Sequence, residues 1–370
     1  MFEHLRKSVA AIALGIAGLV GGAHATPFST VVFLGDSLSD TGNVLSLTSA
    51  FTPTPFPNYS GAPGRFSDGP VWTEYLAAGL GFPSSSEPAN LLFTGAAVIP
   101  IGPQGGQNYA YGGARTGLGG AAGATTGLIG QLINWNGDVF QGALTRAADP
   151  NALYVVMAGA NDLRDARTAN PGDTPADAAA RATAAAATAT NVVNALGLLA
   201  QAGARHFLVS NVPDLGRTPE AVALGLVDAS TDVSNRFNTA LDLAVDAFDA
   251  LFLSLTSLDL DIRSLDFAGL TDAIFLDAST NGGALFGITN ITTPCIEPVA
   301  PGAYYFPGST DSDGNCSVSA FSDPLHPSGA VHRLIGGAAL AAVPEPASSI
   351  LVVTALVAAL WRRRPQAALA

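Results

Sequence analysis

Three unbroken apolar runs place the strongest constraint on how this chain can fold. They are TVVFLG from Thr30, LYVVMAG from Leu153 and HFLVSNVP from His206. β-Branched residues are frequent in these runs and do not alternate with polar ones, which indicates strands buried on both faces. Such strands are typical of parallel sheets with helices on both sides. The pattern predicts an α/β fold with a parallel central sheet.

Long helical segments lie beside these runs. The segment 174–203 begins with Thr174 as N-cap and stops at Gly203, so the second and third runs enclose a strand-helix-strand unit. A second helix is predicted around Asp228 to Leu251. Its apolar residues recur at helical spacing and predict a core-facing stripe, formed by Val233, Phe237, Leu241, Ala244, Val245 and Phe248.

Two further segments are predicted to be loops. Residues 52–69, TPTPFPNYSGAPGRFSDG, are dense in proline and glycine and predict a long ordered loop over the edge of the sheet. Residues 112–127 are glycine-rich but lack the Gly-x-x-x-x-Gly-Lys pattern of a phosphate-binding loop. We find no internal repeat and no linker that would divide the chain between its terminal segments.

The amino terminus has the layout of a secretory signal peptide. Arg6 and Lys7 precede an apolar stretch from Val9 to Val20, and small residues stand at Ala23 and Ala25. We expect cleavage after Ala25. The alternative, a membrane anchor, is weaker because the stretch is shorter than the ~20 residues that span a bilayer.

The carboxyl terminus carries a second processing signal. Residues 343–346, Val-Pro-Glu-Pro, precede an apolar segment, 347–361, and an arginine run, 362–364. This order resembles the PEP-CTERM sorting tail of Gram-negative bacteria that make exopolysaccharide. The resemblance implies that sorting machinery in the inner membrane recognises and removes the tail. The alternative is a plain anchor with its arginines on the cytoplasmic side.

These signals divide the chain into a signal peptide at 1–25, one domain at 26–342 and a sorting tail at 343–370. They predict export to the periplasm, the cell surface or the extracellular matrix of a Gram-negative bacterium. Charged residues make up 12% and apolar residues 48% of the chain, which excludes global disorder. The formal net charge of −13 repels phosphate backbones, so we expect no nucleic-acid partner.

The chain has two cysteines, Cys295 and Cys316. In an exported protein they stand in an oxidising compartment, so we expect them to form a disulfide. Zinc is not expected, because two lone cysteines do not complete a tetrahedral site. The segment DSDGN at 311–315 lacks the full ligand series and the terminal glutamate of a calcium loop, so we interpret it as an acidic turn.

A serine stands where the first apolar run ends. Ligands bind at the carboxyl ends of parallel strands, so Ser37 fits a nucleophile, which needs a histidine base held by a carboxylate. His326 is the candidate base, because Asp323 precedes it by three residues and the two share one side of a turn. His332 lies in the next apolar helix and is expected to be structural. His206 begins a strand and has no comparable acidic partner beside it in the sequence.

Four blocks of sequence carry a family resemblance. They are GDSLSDTGN at 35–43, NYAYGGART at 108–116, GAND at 159–162 and DPLHP at 323–327. In order and spacing they resemble the four main blocks of the GDSL or SGNH hydrolases, and the resemblance covers nearly all of residues 26–342. It implies a flavodoxin-like three-layer α/β/α sandwich, with about five parallel strands and the site at their carboxyl ends.

The resemblance also assigns roles to single residues. Ser37 would be the nucleophile and Asp323 and His326 would complete a triad. The backbone N–H groups of Ser37 and Gly113 and the side-chain amide of Asn161 would form the oxyanion hole. Gly112 remains the alternative to Gly113, because the adjacent glycines leave the register open. We expect Asp36 to fix the turn by hydrogen bonding and leave it out of the site.

The implied activity is ester hydrolysis through an acyl-enzyme, without a metal or cofactor. Candidate substrates are small acyl esters, lipids and acylated polysaccharides, and none of the four blocks selects among them. Two alternatives stay open. The first is a lipid acyltransferase that uses the same triad and excludes water from the acyl-enzyme. The second is a surface protein that binds polysaccharide without catalysis.

Overall fold

The computed structural model describes residues 28–53, 55–59, 61–140, 142–296 and 315–343. The predicted signal peptide, the predicted sorting tail after Val343 and most of the acidic turn at 311–315 lie outside the described residues.

The strands of the described residues are β1 (Val31–Gly35), β2 (Asn58–Tyr59), β3 (Ala62–Pro63), β4 (Leu91–Phe93), β5 (Val98–Pro100), β6 (Leu153–Met157), β7 (His206–Ser210) and β8 (Asp261–Leu265). The α-helices are α1 (Asn43–Phe51), α2 (Trp72–Gly79), α3 (Leu128–Asn136), α4 (Ala160–Ala169), α5 (Pro175–Ala202), α6 (Pro219–Leu224), α7 (Val227–Thr256), α8 (Phe267–Asn281) and α9 (Gly329–Ala342).

A parallel sheet with the strand order β1-β6-β7-β8 forms the centre of the fold. On the free side of β1, Tyr109 donates its backbone N–H to the Phe33 carbonyl at 2.8 Å, and Phe33 donates to the Gln107 carbonyl at 2.9 Å. This short pairing is parallel and occupies a fifth position in the sheet. The resulting spatial order is the flavodoxin-like 2-1-3-4-5.

Each face of the sheet is covered by helices, which completes the predicted three-layer sandwich. One face of the sheet, including Val32, Tyr154 and Phe207, packs on α3, α4, α5 and α7. The other face, including Phe33 and Val155, packs on α2, α8 and α9. Both faces of the central strands are therefore buried, which is why their sequences are continuously apolar.

The three apolar runs form β1, β6 and β7, as predicted. The predicted helix caps are also confirmed. Thr174 Oγ1 accepts the Asp177 N–H at the start of α5, and Gly203 ends that helix with φ 122°. In α7 the first three predicted core residues are buried and the later three are half-buried. Segment 52–69 differs from the prediction, because it contains β2 and β3 and reaches the site described below.

Candidate active site

Ser37 lies in a tight turn directly after β1. The Ser39 and Asp40 N–H groups donate to the Asp36 carbonyl, both at 3.0 Å, and the Leu38 N–H donates to Asp36 Oδ1 at 3.1 Å. Asp36 thus fixes the turn, as predicted from the sequence. The turn holds the serine at the carboxyl end of a rigid strand, with 7% of its surface exposed.

His326 and Asp323 meet Ser37 in a continuous chain of hydrogen bonds. His326 Nε2 lies 2.8 Å from Ser37 Oγ, and His326 Nδ1 lies 2.7 Å from Asp323 Oδ2. The other carboxylate oxygen, Asp323 Oδ1, accepts the backbone N–H groups of Leu325 at 2.8 Å and His326 at 2.7 Å. The turn from 323 to 326 therefore orients the carboxylate towards the imidazole that follows it.

The environment of Asp323 favours its charged form. Burial alone would raise the pKa of this carboxyl, but the neighbouring imidazole of His326 and the hydrogen bonds that Asp323 accepts lower the pKa below its ordinary value. The carboxylate is therefore available to orient the imidazole and to stabilise a positive charge on it.

Two aromatic residues at the site were missed by the sequence analysis. Tyr59 donates its hydroxyl to Asp323 Oδ2 at 2.8 Å, and the Phe66 ring lies 5.2 Å from the imidazole of His326. Both come from the proline- and glycine-rich segment 52–69. Its composition indicates a loop, but nothing in its sequence indicates which of its side chains reaches a residue more than two hundred positions away.

The candidate oxyanion donors differ in what they already bind. The Gly112 N–H donates to Asp40 Oδ2 at 2.9 Å, so this donor is engaged inside the protein. Neither the Gly113 N–H nor the Ser37 N–H donates to any group within the described residues. Gly113 has φ 73°, and a Cβ there would lie 2.6 Å from the Ala121 side chain, so glycine is required. The geometry favours Gly113 over Gly112.

Asn161 stands in the first turn of α4, and both ends of its amide are held. Asn161 Nδ2 donates to the carbonyl of Ala114 at 2.9 Å, and Asn161 Oδ1 accepts from Arg164 at 3.3 Å. One amide hydrogen is used by Ala114, which follows Gly113 in the chain, and the second remains. No side-chain cap bond is made by the N-cap residue of α4, Gly159. Asn161, two positions further along the chain, is not the N-cap of this helix.

Asp40 ties the serine turn to the glycine loop. Its carboxylate accepts the N–H groups of Gly42, Asn43, Val44 and Gly112. Burial raises the pKa of Asp40 to about 6, and these hydrogen bonds oppose the rise. Asp40 stands in the first of the four blocks, but nothing in its sequence indicates this role.

The other two histidines lie away from this chain of hydrogen bonds. His332 is fully buried on α9, where its Nδ1 accepts the Trp72 N–H at 3.3 Å, and burial lowers its pKa to about 3. His206 Nδ1 lies 3.0 Å from Asp261 Oδ2 at the amino ends of neighbouring strands. No acidic residue stands beside His206 in the sequence, and its partner Asp261 comes from β8, a strand that was not predicted. The pair is nevertheless at the opposite end of the sheet from Ser37.

Cys295 and Cys316 form the predicted disulfide, with their Cα atoms 5.0 Å apart. Asp68 lies close to both sulfurs, but sulfur in a disulfide is not a thiolate ligand. Beside this bond, the Cys295 N–H donates to the Phe321 carbonyl at 3.0 Å, and the Ile296 N–H donates to the Ser322 carbonyl at 2.9 Å. The bridge therefore holds the strand-like pairing that leads into Asp323.

A cavity opens beside Ser37, His326 and Asn161. It lies at the carboxyl end of the sheet, where parallel α/β folds place their ligands.

Comparison with known proteins shows which family the chain resembles. A family model described as GDSL-like Lipase/Acylhydrolase matches residues 31–338. A phosphatidylcholine-sterol acyltransferase of Aeromonas hydrophila is 27% identical, over 91% of this chain and 95% of that protein. The esterase EstA of Pseudomonas aeruginosa is 30% identical over 64% of this chain, which spans only 36% of that longer protein. A GDSL esterase/lipase of Arabidopsis thaliana is 28% identical, over 90% of this chain and 93% of that protein.

Proposed function

Because this chain belongs to the GDSL-like lipase/acylhydrolase family, we propose that it is a serine esterase that hydrolyses carboxylic esters through an acyl-enzyme. The observation that carries the proposal is the hydrogen-bond chain from Ser37 Oγ through His326 to Asp323. Serine is a weak nucleophile by itself, and this arrangement supplies the base and the carboxylate that activate it.

The reaction follows from these contacts. Ser37 Oγ attacks the ester carbonyl while its proton passes to His326 Nε2, so an Oγ–C bond forms and the carbonyl oxygen becomes an oxyanion. The imidazolium then gives its proton to the departing alcohol oxygen, the C–O bond breaks, and the acyl group stays on Ser37. Water repeats the sequence, with His326 again as base, and releases the carboxylic acid. Asp323, held by Tyr59 and two backbone N–H groups, orients the imidazole throughout.

The negative charge on the oxyanion requires donors that are already in place. We assign this role to the N–H groups of Ser37 and Gly113 and to the remaining amide hydrogen of Asn161. The support is that the Ser37 and Gly113 donors are unused within the described residues, whereas the Gly112 N–H is bound to Asp40.

A comparison of two serine variants tests the proposal. Ser37→Ala should abolish turnover of p-nitrophenyl esters, because only the attacking hydroxyl is lost. The control Ser49→Ala, an exposed serine on α1, should keep wild-type rates. If wild-type protein hydrolyses no ester, the catalytic proposal is wrong and the polysaccharide-binding alternative takes its place.

Acyl transfer is the second candidate, favoured by the similarity to the acyltransferase over almost the full length of both chains. It uses the same acyl-enzyme but passes the acyl group to an alcohol. Adding a long-chain alcohol or a sterol to the assay distinguishes the two. A transferase should form mainly the new ester, whereas a hydrolase should release mainly free acid.

We also propose that the protein is exported and that its carboxyl tail is removed. The support is the order of elements in the two terminal sequences, both of which lie outside the described residues. The intact mass of protein from its native surface should correspond to a chain from near Thr26 to near Val343. A chain that retains Trp361 and the arginines would instead indicate a membrane anchor.

A further inference from the structure

Two of the assigned oxyanion donors come from separate segments of the chain. Gly113 lies in the glycine-rich loop 112–127, and Asn161 stands in the first turn of α4. An oxyanion is stabilised only by donors that already lie in the correct positions, and a displacement of about 1 Å can lower a rate by about 10²-fold. The contacts that join this loop to α4 therefore bear directly on catalysis.

Thr116 and Asp162 join the loop to α4 by several hydrogen bonds. Asp162 Oδ2 accepts the Thr116 N–H at 2.9 Å, and Asp162 Oδ1 accepts the Thr116 hydroxyl at 2.8 Å. Thr116 is fully buried, and its Oγ1 also accepts Nδ2 of Asn191 on α5 at 3.1 Å. The contact thus attaches the loop, three residues after Gly113, to the helix residue that directly follows Asn161.

A second contact joins the same two segments at the surface. Arg115 Nε pairs with Asp165 Oδ2, and the two side chains are 40% and 57% exposed. Water screens exposed ion pairs of this kind, so they fix a backbone only weakly. Asp165 is therefore a matched control for Asp162, because it lies on the same helix and binds the loop residue next to Thr116.

Asp162 could also act only as an acidic residue in the first turn of a helix, where its charge interacts favourably with the helix dipole. That role needs no particular partner and is available to an exposed carboxylate. Burial raises the pKa of Asp162 above its ordinary value, and the hydrogen bonds from Thr116 oppose the rise. The carboxylate is thus held where burial disfavours its charge, which the helix dipole alone does not require.

We propose that Asp162 is a positioning residue of the oxyanion hole, which acts through Thr116 to hold the Gly113 N–H at the distance from the Asn161 amide that the tetrahedral intermediate requires. The inference rests on the proposed esterase function, since it uses the donors assigned to that reaction. The full negative charge develops only after Ser37 has attacked the ester. Loss of the contact should therefore lower kcat and leave KM nearly unchanged.

Steady-state kinetics of two aspartate variants test the inference. In Asp162→Ala the loop loses its buried partner on α4, so kcat per active site should fall by about ten- to a hundredfold. KM should change by less than about twofold. Active sites are counted by the amount of fluorophosphonate that the protein incorporates at completion. The control Asp165→Ala loses the exposed contact of the same helix and should keep wild-type kcat.

A pair of threonine variants supplies a second test, should Asp162→Ala give too little folded protein. Thr116→Val keeps the shape of the side chain but loses the hydroxyl that donates to Asp162, so kcat should fall by about three- to tenfold. Thr116→Ser keeps the hydroxyl and should retain most of the wild-type rate. Equal rates in the valine and serine variants would contradict the role of this hydrogen bond.

A trifluoromethyl ketone provides a readout that a purely structural role of Asp162 would not change. Ser37 Oγ adds to its carbonyl carbon, the serine proton passes to His326, and the carbonyl oxygen becomes an oxyanion. The inhibition constant should rise in proportion to the fall in kcat/KM across the variants, because both depend on the same donors. It does not depend on how much of the protein is folded.

The possible outcomes separate the inference from the proposed function. If Asp162→Ala and Thr116→Val lower only the unfolding midpoint and keep wild-type kcat and inhibition constant, the positioning role is wrong and the esterase proposal stands. If the wild-type protein hydrolyses no ester, the esterase proposal is wrong, and the positioning role is refuted with it.

Discussion

Asn161 shows most clearly how one residue is positioned by its neighbours. Its amide oxygen accepts from Arg164, whose guanidinium is bound by the buried carboxylate of Glu220. The same carboxylate binds Arg167, and the Glu220 N–H donates to the carbonyl of Pro324 at 2.9 Å. One glutamate therefore connects the helix that carries Asn161 to the loop that carries the base.

Removing Arg164 should weaken catalysis through Asn161. In Arg164→Ala the side-chain oxygen of Asn161 loses its hydrogen-bond donor, so we expect kcat to fall by about tenfold. Removing an oxyanion donor completely typically lowers kcat by about 10²- to 10³-fold. KM should change little, and Glu220 keeps Arg167 as its partner. Steady-state kinetics of the variant measure both quantities. Arg236→Ala, in an exposed pair with Asp232 on α7, is the control. A rise in KM with an unchanged kcat would contradict the positioning role of Arg164.

The buried Asp36 gives a prediction about pH. Burial raises the pKa of Asp36 from 3.8 to about 6, so the folded protein holds this proton more tightly than the unfolded chain does. The free energy of unfolding therefore falls as the pH rises from 3.8 to about 6. Above that interval the stabilisation that comes from protonated Asp36 is lost completely. Asp36→Asn keeps an acceptor for the Leu38 N–H and removes the charge.

We therefore expect the effect of Asp36→Asn on the free energy of unfolding to be about 2 kcal/mol more stabilising at pH 7 than at pH 4. Urea unfolding of variant and wild type at both pH values measures the difference. If the effect of the substitution is the same at the two pH values, Asp36 does not titrate differently in the folded protein.

Among the strands and helices, the sequence predicted those whose apolar residues follow the pattern that burial imposes. The strands β1, β6 and β7 are buried on both faces and read as unbroken apolar runs, whereas β8, DIRSL, lies at the edge of the sheet and is only partly buried. An edge strand needs no continuous apolar sequence, so its pattern gave no signal. The fifth sheet position was equally hidden, because Gln107–Tyr109 pairs too briefly to form a regular strand.

The site could be predicted only as far as its local motifs extend. Ser37, Asp323 and His326 stand in short blocks whose order in the chain carries the information. Tyr59, Arg164 and the walls of the cavity depend on contacts between distant segments, which neither periodicity nor spacing encodes. The cavity beside Ser37 is lined by α4, α8, α9 and the loops that follow β1 and β7 and precede α9, so it exists only in the folded chain.

The disulfide stabilises the element that carries the base. Replacing both Cys295 and Cys316 by serine should lower the free energy of unfolding by ~3 kcal/mol, the value that chain entropy predicts for a loop of this size. Urea unfolding of the variant and wild type measures this. Because the bridged segment pairs with Phe321 and Ser322, next to Asp323, turnover should also decline at temperatures where the wild type is stable. An unchanged unfolding midpoint would show that the bridge is dispensable.

On the scale of the whole molecule, the three-layer fold brings distant parts of the chain to one end of the sheet. The nucleophile follows β1, the amide donor begins α4, and the base precedes α9, so the site spans almost three hundred residues of sequence. Glu220 links α4 to the loop that carries the base, and the disulfide holds the segment that leads into that loop. We infer that this assembly makes Ser37 a nucleophile.

Labelling with a fluorophosphonate, followed by mass-spectrometric mapping of the adduct, tests the nucleophilic role of Ser37. The reagent phosphonylates an activated serine, with loss of fluoride and transfer of the serine proton to the base. We expect one adduct per chain, located on Ser37, which is absent from Ser37→Ala and forms much more slowly in His326→Ala. An adduct on a different residue, or ester turnover that persists in Ser37→Ala, would contradict this role.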